Sequence, residues 1–118
     1  MHGINPSGGT SHLRSEFADD PDMREIVAFF VTDLTDRVSA IRAAVDTDDR
    51  ARLRTLTHQL KGAAGGYGFP TIGIAAATVE RELLGDEAQV SALHEKVNDL
   101  LQLCRAAMSP QNNPNTTS

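Results

Sequence analysis

His58 stands in a run of residues whose types and spacing suit a reactive imidazole. Arg54 lies four residues before it, Lys61 three after, Gly62 four after and Gly65 seven after, so on a helix all five share one face. Two of these neighbours are cationic and two lack side chains. Leu53, Leu56, Leu60 and Ala64 gather on the opposite side at about 100° per residue, which turns His58 toward water and counts against a core histidine. The competing reading is an idle surface histidine, and spacing alone leaves the two evenly matched. Gly62 tips the balance, because a glycine inside a helix costs about 1 kcal/mol relative to alanine. It faces outward, away from helix packing, and precedes the expected helix end. Clearance for something large approaching the imidazole is the remaining reason for it.

Other candidates carry less. Lys61 to Gly68 is glycine-rich, but a phosphate-binding loop of the Walker type needs lysine after its last glycine and a hydroxyl next, and a dinucleotide fingerprint needs a preceding strand. Neither condition is met. His94 falls at the edge of an apolar stripe and reads as a packing residue, and His2 and His12 sit in a polar leader. Cys104 lies on the same stripe and reads as a buried, inert thiol.

The elements that must position these residues are helices. Asp20-Pro21 suits a helix start, with a capping carboxylate followed by proline at the first helical position. Val27, Phe30, Val31, Leu34, Val38, Ile41 and Val45 then form one stripe at steps of three and four. Asp46 to Asp49 break the pattern and cap a second helix that carries His58 and runs to about Gly65. Gly65, Gly66 and Gly68 end it, and Pro70 opens a third helix with Ile72, Ala75, Ala76, Val79 and Leu83 inward, closed by Gly85. Asp86 caps a fourth, with Val90, Leu93, Val97, Leu100, Leu101, Cys104 and Met108 on its inner face. The pattern predicts an all-α protein, an antiparallel four-helix bundle over residues 13–108, with room for a short N-terminal lead-in helix at Leu13 to Phe17. Residues 1–12 and 109–118 lack hydrophobic periodicity and read as a disordered leader and tail.

His58-Gln59-Leu60-Lys61-Gly62-Ala63-Ala64, followed by Gly68, resembles the His-x-Leu-Lys-Gly-Ser/Ala signature of histidine-containing phosphotransfer (HPt) domains, including their glycine ten residues after the histidine. Ile72, Ala76 and Val79-Glu80 match the family's usual continuation in the next helix, and Asp20-Pro21 ahead of Phe29-Phe30 is similar too. The resemblance spans residues 13–108 and departs at Phe69-Pro70 and at the flexible Gly65-Gly66 pair. It implies that His58 accepts a phosphoryl group from a phospho-aspartate and hands it to another aspartate, on receiver domains of a response regulator or hybrid histidine kinase. Lys61 would then offset the charge of the transferred group, with Arg54 as a second cation one turn earlier. Gly62, Gly65, Gln59 and Arg50 would meet the partner. The chain would be a carrier, not an enzyme, with no cofactor of its own, Mg²⁺ being supplied at the receiver.

Composition is consistent with this. The chain has 118 residues, enough for one domain, and its 40% hydrophobic content includes only five aromatics, so an aliphatic core is expected. The net charge of −5 disfavours a nucleic-acid-binding module, whose affinity comes from neutralising phosphates. Four of eleven Lys and Arg residues (Arg50, Arg52, Arg54 and Lys61) nevertheless cluster around His58, where they would attract an acidic protein surface. A docking adaptor that carries no phosphate is the main alternative, and retention of His58 with Lys61 and Gly62 argues against it. One cysteine, no signal-peptide pattern and no long apolar run fit a cytoplasmic monomer that does not engage membranes.

Overall fold

The structure, a computed structural model, describes residues 13–84 and 93–108. The leader, the tail, the stop at Gly85, the cap at Asp86 and Val90 lie outside the described residues. Four helices follow in order: α1 (Arg24–Asp46), α2 (Arg50–Gly66), α3 (Pro70–Leu83) and α4 (His94–Ala107). They form the expected all-α antiparallel bundle, in which α2 packs most extensively on α3 and α1 and α4 complete the ring. Among the described residues no helix is long and apolar enough to cross a membrane.

The local chemistry explains most of the boundaries. Asp49 caps α2, its carboxylate accepting from the Arg52 N–H at 3.1 Å, and Asp48 takes the left-handed backbone (φ 55°) that an acidic residue tolerates in a tight turn. Pro70 occupies the first turn of α3 as expected. The start of α1 differs from expectation. Asp20 accepts from the Asp22 N–H at 2.9 Å, a local turn that competes with helix, and α1 begins only at Arg24. The lead-in helix is likewise replaced by turns. Ser15 Oγ accepts from the Phe17 N–H at 2.9 Å and donates to the Tyr67 carbonyl at 2.7 Å, holding the segment in a bent form over the α2–α3 connection.

The core is largely aliphatic, as composition implied, with a small aromatic cluster set into it. Phe30 and Phe69 are fully buried, and Phe30 stacks on Tyr67 with ring centroids 4.8 Å apart. Phe69, which interrupts the family pattern, thus supplies core volume where α2 turns into α3. On α2 the buried row is Leu53, Thr57, Leu60 and Ala64, with Leu56 only half-buried. Thr57 satisfies its hydroxyl by donating to the Leu53 carbonyl at 3.0 Å, so a polar side chain sits in the core at little cost. His94 is corrected from packing residue to exposed residue. It is the first residue of α4, and Leu93, just before it, takes the buried place.

Cys104 is buried, and that burial pushes its thiol up to about 12. The thiolate needed for alkylation is therefore scarce at neutral pH. Iodoacetamide should leave Cys104 unmodified in the native protein at pH 8 and label it fully in denaturant; rapid native labelling, read by intact mass, would contradict the burial.

Candidate functional site

The site is built where α3 crosses α2 at close range. Gly73 allows the approach: a Cβ there would lie 3.4 Å from the Lys61 carbonyl oxygen and 3.7 Å from the Gly65 nitrogen. Close backbone contact at Gly73 sets the register, and Glu80, seven residues and about two turns further along the same face of α3, comes alongside His58 and Lys61. One oxygen of its carboxylate, Oε2, lies 2.8 Å from His58 Nδ1; the other, Oε1, lies 2.9 Å from Lys61 Nζ. Exposure falls off across the three side chains, at 65% for His58, 41% for Lys61 and 16% for Glu80. The imidazole therefore projects into solvent from a carboxylate that is largely covered.

This geometry constrains the ring. A carboxylate at Nδ1 favours the tautomer that carries its proton there, which leaves the lone pair on Nε2. Nε2 has no partner among the described residues, so the exposed nitrogen is the nucleophilic one. Lys61 is better placed to meet an incoming anion than a lysine lying free on the surface, because Glu80 already orients its ammonium beside the ring. An ammonium has three donors, so Lys61 can contact a second anion without leaving the carboxylate.

The hydrogen bond from Lys61, reinforced by that of His58 and by the charge of the Lys61 ammonium, holds the Glu80 carboxyl below its ordinary value, against partial burial that pushes it up. A depressed carboxyl contributes stability that is present above its unfolded value and lost as pH falls through its folded value. Glu80→Gln removes this contribution. The variant should melt lower than wild type at pH 7, and the gap should close below about pH 4, near the reference range of a glutamate. Parallel melting curves across that range would mean that the carboxylate adds nothing to folding.

The neighbours predicted from sequence take different places. No described residue of a neighbouring element would come within 4 Å of a Cβ at Gly62 or Gly65, so both glycines front open space. Packing of helices is thereby excluded as the reason for them. Gln59 and Arg54 are exposed, and Arg54 lines a shallow cleft of about 230 Å³ with Arg50, Ala51, Leu83 and Leu84. Arg50 is drawn to the end of α3, where its Nη2 donates to the Leu83 carbonyl at 2.7 Å, a cation at a helix C-terminus. It lies two turns from His58 and is engaged in fastening α3 to α2.

Glu80 is the site residue that spacing on α2 could not reveal. It appeared only as a match to a motif in the next helix, 22 residues from His58. The signal was Gly73: a small residue on the face of α3 turned to α2 marks the contact, and Glu80 shares that face two turns on. The site is consequently less cationic than the sequence suggested, since one of its two flanking cations is paired.

Comparison with known proteins adds one finding. A family model, the Hpt domain, matches residues 25–109, most of the chain and all of the site. No curated protein and no solved structure matches.

Proposed function

The chain belongs to the Hpt domain family, which carries phosphoryl groups on histidine in two-component signalling, and from that premise we propose that His58 is the carrying residue. The observation that supports it best is the pairing of His58 Nδ1 with Glu80, which leaves Nε2 as the exposed nucleophile. In this reading the Nε2 lone pair attacks the phosphorus of a receiver's aspartyl phosphate. The N–P bond forms, the P–O bond to the aspartyl carboxyl breaks, and the electron pair leaves with the carboxylate. The ring is cationic as the bond forms, and its Nδ1–H faces Glu80, which stabilises that charge. Lys61 offsets the charge on the phosphoryl oxygens, and Arg54 adds a weaker field from one turn away. Transfer onward to a second receiver reverses these steps.

The chain does not phosphorylate itself in this proposal. The aspartate and its Mg²⁺ belong to the receiver of a response regulator or hybrid kinase, and this chain contributes a positioned imidazole. Gly62, Gly65 and Gln59 form the ground on which the receiver lands, while Arg50 acts at a distance through charge. The protein works as a cytoplasmic monomer, without nucleic acid or membrane.

The test is to mix the protein with a receiver domain phosphorylated on aspartate and look for label on it that is stable to base and labile to acid, as a phosphorus–nitrogen bond is. Absence of label with several receivers would refute the reading. The clearance argument has its own check. Gly62→Gln adds a long side chain into open space, so folding should be unharmed and stability should rise by up to about 1 kcal/mol as a helical glycine is removed. Receiver binding should nevertheless fall at least about tenfold, a loss of roughly 1.4 kcal/mol. Equal binding by calorimetry would remove the role given to Gly62.

A further inference from the structure

We propose that the groove between α1 and α4 is a second ligand site, taking a small oxyanion, phosphate or carboxylate, between Arg42 and Arg105. The groove lies across the bundle from the α2–α3 side that bears His58, and it has a volume of about 120 Å³, the room of a few water molecules. Val45, Val97 and Leu101 contribute apolar surface to it; Arg42 and Asp46 flank it from α1, and His94, Asn98 and Arg105 from α4. A guanidinium on each helix can therefore reach one anion from two sides, with the planar donor geometry that suits phosphate and carboxylate oxygens.

Among the described residues these two arginines share the lack of a side-chain partner with Arg52, Arg54 and Arg81; what sets them apart is that they line one groove from two different helices. Arg14, Arg37 and Lys61 are each paired with an acid, at 2.9, 2.8 and 2.9 Å. Among the described residues the side chains of Arg42 and Arg105 make no ion pair or hydrogen bond, although Asp46 stands one turn from Arg42. Arg105 has another reason for its place, since it lies in the last turn of α4 and complements the helix dipole. Arg42 does not, because the last turn of α1 holds no basic residue. Asp46 limits what can bind. It repels a second negative group and accepts from a hydroxyl or ammonium, so the favoured ligand is anionic at the arginine end and a hydrogen-bond donor at the other. His94 and Asn98 supply further polar contacts along α4.

The experiment is a titration of the full chain, at constant ionic strength in chloride, with inorganic phosphate in one arm and lactate, a carboxylate that carries a hydroxyl, in the other, followed by amide and side-chain NMR shifts. Saturable shifts centred on Arg42, His94, Asn98 and Arg105 are expected, with half-saturation at millimolar anion; the arm that saturates at lower concentration names the preferred oxyanion. Arg42→Gln and Arg105→Gln should each weaken binding at least about fivefold, the loss of one charge-assisted contact near the surface. Both residues are exposed, so Arg42→Gln should keep the wild-type melting temperature, and Arg105→Gln, which also removes a cation from the last turn of α4, should lower it by no more than about 5 °C. Lys61→Ala should leave the titration unchanged. Shifts that rise linearly in both arms, that centre on Arg54 and Lys61, or that persist at wild-type affinity in both arginine variants would overturn the proposal.

Discussion

His58→Gln is expected to reduce phosphoryl acceptance from a phosphorylated receiver to background while leaving the fold intact. The imidazole offers the only exposed ring nitrogen in the site, and an amide side chain has no comparable nucleophile at neutral pH. Stability should change by less than about 0.5 kcal/mol, because the side chain is mostly exposed and glutamine retains a donor that can reach Glu80. Receiver binding should change little, since Gly62, Gly65 and Gln59 remain. The combination of lost labelling, unchanged melting and retained binding identifies a carrier residue. Label that persisted on the variant would place the phosphoryl group elsewhere, and lost binding would mean that His58 serves docking more than chemistry.

Gly68→Ala is expected to be the most destabilising of the glycine substitutions, by about 2–4 kcal/mol, the sum of left-handed backbone strain and overpacking. Gly68 has φ +87°, and a Cβ on it would overlap Ser15 Oγ while lying 2.9 Å from the Glu16 nitrogen and 3.0 Å from Phe17 Cδ2. Those atoms cannot easily retreat. Ser15 donates to the Tyr67 carbonyl and Glu16 donates to the Gly68 carbonyl at 2.7 Å, so relief requires the segment before α1 to lift from the α2–α3 connection. For a domain of this size the melting temperature should fall by about 10 °C. Gly65→Ala is the natural control: with open space around it, the same substitution should stabilise by up to about 1 kcal/mol. Equal melting of the two variants would mean that the contact with Ser15 and Glu16 does not constrain position 68.

Gly62, Gly65 and Gly68 show how unevenly sequence reports function. Gly62 and Gly65 could be assigned to open space from a helical wheel, because orientation on one helix depends only on the 3.6-residue period. Gly68 could be recognised as part of a motif, but not explained. Its constraint comes from a segment more than fifty residues earlier in the chain, folded across it by the Ser15 and Glu16 hydrogen bonds. The expected lead-in helix failed for the same reason: Ser15 and Asp20 turn their oxygens to nearby N–H groups, and local pattern cannot weigh that against helix in so short a stretch. His94 was misplaced because it sits at the edge of the stripe that Leu93 and Val97 define, where helical period alone does not separate an inward from an outward residue.

The number and order of helices, the outward face of α2 and the histidine on it were all legible in the chain, since each follows from periodicity, capping and residue type within one element. The packing of α3 on α2 was needed to bring Glu80 into the site, to divide its carboxylate between His58 and Lys61, and so to leave Nε2 as the unpartnered ring nitrogen. The physical reason is register. How far α3 slides along α2 is settled by the close approach at Gly73 and the fastening of Leu83 by Arg50, contacts between elements that no single helix encodes.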